Sequence, residues 1–219
     1  MEQLSLLSVL TIGFLLGIKH ALEPDHIIGV STIASQSKKL WKSSLVGVFW
    51  GIGHTSTLFV VGMLLIVLKI SISDKWAMSL EFLVGIMLVY FGVTAMASHR
   101  KNSRHDTQAA SADGKFSYRK PLVMGFIHGL AGSAAIILLT LGTVDSVWQG
   151  AAYILVFGLG TIVSMLFFNT VIGIPFVMSK NKRSINKPLI QFAGLLSAAF
   201  GLYYMYNLGV NEGLFKLWI

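Results

Sequence analysis

Six apolar stretches, at roughly 4–33, 43–69, 77–98, 121–142, 147–178 and 189–209, occupy most of the chain, and each can cross a hydrocarbon layer that needs about 20 residues. A soluble core of this size does not require blocks of that length. Only 12% of the 219 residues are charged, against about 25% in a soluble domain. In lipid a helix satisfies its own backbone, so the expected fold class is all-α, a polytopic membrane protein with six transmembrane helices. The formal net charge of +8 lies in the connectors and not along a groove-facing stripe, which argues against a nucleic-acid partner. There is no cysteine, which excludes disulfides, thiolate nucleophiles and sulfur metal cages. Any chemistry falls to nitrogen, oxygen or thioether.

The first and fifth stretches are too long for simple rods and contain Pro24 and Pro175, so a break or re-entrant turn is expected in both. The first is not read as a cleaved signal peptide, because it begins with Glu2 in place of a basic region and no small-residue cleavage site follows it. Counting Lys and Arg in alternate connectors gives 13 on one side and 3 on the other, with Lys19 left uncounted inside the first span. The protein is expected in a bacterial-type plasma membrane, the lipid bilayer being its partner, and by the positive-inside rule with both termini outside the cytoplasm. The longest connector, roughly 99–120, is polar and reads as a flexible cytoplasmic loop.

Parts of the chain repeat. Gly17-Ile18-Lys19-His20-Ala21-Leu22 returns in outline as Gly125-Phe126-Ile127-His128-Gly129-Leu130, 108 positions on. Trp50-Gly51-Ile52-Gly53 matches Phe157-Gly158-Leu159-Gly160 at 107, and Gly85, Phe91, Gly92 match Gly194, Phe200, Gly201 at 109. Three echoes in order at one displacement indicate duplication, with 1–98 as the first three-helix unit, 99–120 as the loop and 121–219 as the second unit. An odd number of spans per unit inverts the second copy, an architecture typical of secondary transporters with a midplane site.

The first stretch carries Lys19, His20, Glu23, Asp25 and His26 within eight residues. Its three formal charges cost roughly 3 kcal/mol each near a bilayer centre, about 9 in all, more than the flanking apolar residues return. The cluster therefore needs polar partners inside the bundle. On an unbroken helix residues 20 and 26 diverge by about 240°, but a kink at Pro24 brings them within reach and, having no amide proton, leaves the His20 carbonyl without its helical donor. Two imidazoles, a carboxylate and that carbonyl make an N/O set suited to Ni²⁺, Co²⁺, Zn²⁺ or Cu²⁺ and poorly suited to Mg²⁺ or Ca²⁺.

His20-Ala21-Leu22-Glu23-Pro24-Asp25-His26 has the pattern of His, four residues, Asp-His. With Gly51-Ile52-Gly53-His54-Thr55 and His128-Gly129-Leu130-Ala131-Gly132-Ser133-Ala134-Ala135, the chain resembles the nickel/cobalt transporter (NicO) superfamily, most closely its six-span UreH-like branch associated with urease maturation. The resemblance implies that His20, Asp25 and His26 match the metal-selectivity motif and His54 the second-span histidine. Larger nickel/cobalt permeases have eight spans and further acidic motifs that are not found here.

His128 is the repeat mate of His20, yet Asp25 and His26 correspond to Ser133 and Ala134, so the second copy has lost the chelate. For His128 a gating or secondary-ligand role is weighed evenly against a structural one, and Glu23 is a ligand, a proton acceptor or a partner of Lys19. Thr55, Ser164 and Asn169 read as helix-packing hydrogen bonders, and His99 and His105 as loop residues without a metal role. The function expected is a permease for divalent transition-metal cations, most readily Ni²⁺ or Co²⁺ uptake, with the ion as cargo and no catalytic cofactor. Export, a membrane metalloenzyme and a non-transporting metal-binding subunit are the alternatives. With six histidines, two of them in a loop, and no His-Glu-x-x-His helix, the chain is not expected to be an enzyme, and without a P-loop it is not expected to use ATP directly.

Overall fold

The structure, a computed structural model, describes residues 6–37, 39–101, 118–141 and 146–219, and no strand occurs among them. Most of the loop expected at 99–120 lies outside the described residues, His105 included, as does the side chain of His99. The helices are α1 Leu6–His20, α2 Pro24–Ala34, α3 Leu40–Leu68, α4 Asp74–Lys101, α5 Arg119–Leu141, α6 Val147–Ser179, α7 Arg183–Tyr206 and, after a wide π turn at Asn207–Asn211, the short α8 Leu214–Trp218.

Four helical segments, α3, α4, α6 and α7 with its following turn, are long and apolar enough to cross a membrane. The bent pair α1 and α2 makes a fifth if it is one broken span. The 23-residue α5 stands where the fourth of the six crossings was expected. Large apolar side chains such as Val60, Leu83, Leu159, Phe167, Phe192 and Leu202 are exposed around the bundle, a surface that lipid covers and water would not tolerate. The protein is all-α and polytopic.

Of the two expected prolyl breaks, one occurs. Chain direction changes by 57° between α1 and α2, where Glu23 is extended and Pro24 takes the first position of α2, its missing amide costing nothing there. Pro175 does not break α6, which runs unbroken for 33 residues. Only one turn remains beyond Pro175, and Asn186 of α7 secures it by donating through Nδ2 to the Phe176 carbonyl at 3.2 Å and to Ser179 Oγ at 3.0 Å.

Packing follows a pattern of exchanged contacts. α1 lies on α6, α5 lies on α3, and the pairs α3 with α6 and α4 with α7 complete the bundle. A methyl on Gly17 would overlap the Phe157 carbonyl and crowd the Thr161 amide; at Gly125 it would overlap the Trp50 carbonyl and crowd the His54 amide. Positions 17 and 125, 50 and 157, and 54 and 161 are the pairs related by the sequence displacement. Gly53 against Leu122 and Phe126 recurs likewise as Gly160 against Phe14 and Ile18, and the contact of Gly92 with Gly194 recurs as Gly201 with Gly85. Hydroxyls fasten the crossing nearest the break: Thr161 Oγ1 donates to the Gly17 carbonyl at 3.2 Å and Ser164 Oγ to that of Ile18 at 3.3 Å. Each such bond inside a membrane protein contributes about 0.6 kcal/mol.

Candidate metal centre

The break between α1 and α2 aims two helix ends at one place. His20 is the last residue of α1, where the helix dipole is negative and favours a cation. Asp25 sits in the first turn of α2 and places a carboxylate at that helix's positive end, with Oδ1 accepting from the His26 amide at 3.0 Å. The His20 carbonyl is not left free for a metal as the sequence suggested. The chain turns tightly enough for the Glu23 amide to donate to it at 3.0 Å.

Four imidazoles converge. His20 Nε2 stands 3.2 Å from His54 Nε2 on α3, and the His26 ring centre is 4.5 Å from that of His20, 5.2 Å from that of His54 and 4.0 Å from that of His128 on α5. His26 and His54 are 0% exposed and His128 is 3% exposed, so none of these three has bulk water to hydrate it. Trp50 and Phe157, 107 positions apart in the sequence, wall the cluster, with ring centres 5.6 Å from His128 and 5.4 Å from His20 respectively.

The carboxylates stand behind the rings. Glu23 Oε2 lies 2.9 Å from His20 Nδ1. As a carboxylate it only accepts, so the His20 hydrogen belongs on Nδ1 and the Nε2 lone pair faces His54. Asp25 accepts from two rings, Oδ1 lying 3.3 Å from His26 Nδ1 and Oδ2 2.7 Å from His128 Nε2. The sequence put Asp25 beside His20 in one chelate, but its oxygens are bonded on the other side of His26. Three buried ring nitrogens, His26 Nε2, His54 Nδ1 and His128 Nδ1, have no partner among the described residues. Buried lone pairs of this kind are costly unless something binds them.

Two groups of three side chains, His20, His26, His54 and Asp25, His26, His128, each offer ligand atoms that all lie within 4.8 Å of one another. The His20 and His54 nitrogens at 3.2 Å would subtend about 100° at an ion held at the usual metal–imidazole distance of about 2.1 Å. That angle lies between octahedral and tetrahedral values. Space is kept beside them by Gly132 on α5, where an added methyl would rest 3.6 Å from His54 Cε1 and 3.9 Å from His20 Nε2.

All six residues singled out from the sequence, His20, Glu23, Asp25, His26, His54 and His128, thus fall in one cluster. Lys19 is exposed, and the ion-pair partner found for Glu23 is His20. The sequence reading passed over Glu81, a carboxylate inside α4 that accepts from Tyr204 Oη on α7 at 3.1 Å. Its charge within an apolar stretch was the available signal. Of the residues read as packing groups, Ser164 bridges to α1 as described. Thr55 Oγ1 and the Asn169 side-chain amide are buried without a partner among the described residues.

An all-helical membrane bundle with four converging imidazoles defines the class, a polytopic membrane protein, and comparison with known proteins adds metal transport. The family described as "High-affinity nickel-transport protein" matches residues 6–109, and "Cytochrome C biogenesis protein transmembrane region" matches residues 77–203. Over all of both chains the sequence is 58% identical to the urease accessory protein UreH of Bacillus sp. (strain TB-90). It is 27% identical to a Methanocaldococcus jannaschii protein provisionally named a nickel/cobalt efflux system, covering 87% of this chain and 89% of that one. Identity to the Arabidopsis thaliana chloroplast protein FOR GROWTH AND FERTILITY 1 is 26%, over 87% of this chain and 56% of the relative. No solved structure matches. The chain belongs to the UreH family of the nickel/cobalt transporter (NicO) superfamily.

Proposed function

We propose that the chain is a permease for divalent transition-metal cations that carries Ni²⁺, or Co²⁺, into the cytoplasm through a site built on His20, Asp25, His26 and His54, with Glu23 and His128 in support. The observation that carries this reading is the convergence of four imidazoles and a carboxylate inside a membrane bundle, with His20 Nε2 and His54 Nε2 3.2 Å apart. N/O donors at that spacing suit nickel and cobalt. The ion exchanges hydration water for imidazole, and rocking of two inverted halves, 1–98 and 121–219, opens the site to each face in turn. The exchanged glycine contacts support those halves. The name of the UreH relative supports uptake that feeds urease maturation. The chain moves its ion without chemical conversion and is not an enzyme.

Purified protein in liposomes is expected to move radiolabelled nickel or cobalt, and His20→Ala, His26→Ala and His54→Ala each to abolish flux while the protein remains folded. Normal flux in these variants would refute the site. The efflux name carried by the archaeal relative supports a second reading, export, and flux in oriented vesicles separates the two. Orientation is tested with single cysteines in this cysteine-free chain: with both termini outside, Lys75→Cys reacts with an impermeant reagent applied to whole cells and Lys39→Cys does not.

A further inference from the structure

We propose that the ion uses two adjacent stations, one on each side of the His26 ring, and that His128 is a ligand of the second. This rests on the permease reading. His26 is the residue common to both groups of potential ligands. Its Nδ1 faces Asp25 Oδ1 at 3.3 Å, while its Nε2 is buried, without a partner among the described residues, and lies on the ring edge away from Asp25. A neutral imidazole has a single in-plane lone pair and ligates through one nitrogen at a time, and its two nitrogens point apart. The first station is therefore the all-nitrogen set of His20 Nε2, His54 Nε2 and His26 Nε2. The second is His26 Nδ1 with an Asp25 oxygen and His128 Nε2, the last two already 2.7 Å apart.

Protons balance without any co-reactant. With the ion at the first station, His26 Nδ1–H and His128 Nε2–H both donate to Asp25, which is the arrangement in the structure. At the second station the ion takes the place of those two hydrogens, and each ring keeps one hydrogen on its other nitrogen, His26 on Nε2 and His128 on Nδ1. His128 Nδ1 has no partner among the described residues. Two divalent charges on one neutral ring repel, so the stations fill in turn. A step between neighbouring sites of unlike donors keeps each grip weak enough to release.

The test is a Co²⁺ titration of the full-length protein in detergent, followed by visible absorption, with flux measured in liposomes. His128→Gln is the informative variant, because the glutamine amide still donates to Asp25 but is a poor ligand. Wild type should bind one Co²⁺ per chain at a time, in a mixed spectrum. His128→Gln should keep an all-nitrogen spectrum and affinity within about threefold while flux falls at least about tenfold, the lower bound for losing a metal-site group. His54→Ala should still bind with a nitrogen and oxygen spectrum, about tenfold to a hundredfold more weakly, and the double variant should lose binding. Should His128→Gln not fold, Asp25→Asn makes the same test, since its amide oxygen still accepts from His26 while the anionic ligand is gone. Wild-type spectrum and flux in His128→Gln would overturn the second station and leave the permease reading standing, as would complete loss of binding in His54→Ala alone. A wild type that binds and moves no Co²⁺ would overturn both.

Discussion

Gly132→Ala separates room for the ion from stability of the fold. An added Cβ rests 3.6 Å from His54 Cε1, 3.9 Å from His20 Nε2 and 4.0 Å from His20 Cε1, all ordinary van der Waals contacts. The metal-free protein therefore has nothing to push aside, and replacing glycine within α5 by alanine adds about 0.5–1 kcal/mol of stability by restricting the unfolded chain. The loaded protein meets a different constraint. An ion bound about 2.1 Å from His20 Nε2, together with the water that completes its shell, has to share the space beside that nitrogen with the methyl. Overpacking by one methyl costs about 1–3 kcal/mol, and here the whole cost falls on the bound state. Affinity is then expected to drop roughly 5-fold to 150-fold, at tenfold per 1.4 kcal/mol. The check is Co²⁺ calorimetry beside thermal unfolding in the same detergent. Unchanged affinity would show that Gly132 borders no ion space, and a lower melting temperature without metal would show that the glycine serves helix packing.

Glu23→Gln keeps a group that can accept from His20 Nδ1 but removes the charge behind the ring, so Ni²⁺ or Co²⁺ affinity should fall about 10-fold to 100-fold, as measured by calorimetry, with the fold intact. Because ligation requires neutral imidazoles, protons compete with metal: Co²⁺ binding should strengthen as pH rises and weaken as it falls, readable from dissociation constants at stepped pH. Gly17→Leu and Gly125→Leu each drive a side chain into the backbone of a facing helix, at Phe157 and Trp50. Both should destabilise by several kcal/mol, on the order of an overpacked core or worse, and by similar amounts, visible in thermal unfolding.

The helical blocks were legible because lipid demands continuous apolar stretches, and the break at Pro24 because proline cannot supply the α-helical hydrogen bond. Pro175 was misleading because Asn186, on the following helix and outside the helical pattern around the proline, holds the turn after it. The short α8 lay beyond any periodic signal, being five residues long. At the site, the histidine and carboxylate types were readable, but the side of His26 on which Asp25 falls depends on the 57° bend, which no spacing rule supplies. His128 could not be ranked from sequence because its partner is 103 residues away, on another helix.

The proposed duplication also explains why one chelate is enough. A site near a pseudo-two-fold axis would receive both copies of every ligand if both were kept, and His128 shows this: the mate of His20 returns to bond Asp25 of the first copy at 2.7 Å. The other mates have changed, Asp25 to Ser133, His26 to Ala134 and His54 to Thr161. Thr161 now spends its hydroxyl on the Gly17 and Phe157 carbonyls, at 3.2 and 3.1 Å, fixing the end of α1 that presents His20. Retaining all of them would crowd another carboxylate and more imidazoles around one ion and hold it too tightly to be passed on, whereas conduction needs binding that is favourable yet escapable. Restoring a ligand with Thr161→His should therefore raise Co²⁺ affinity, cut the Thr161 tether to Gly17, and slow flux. Faster flux with tighter binding would refute this account of the asymmetry.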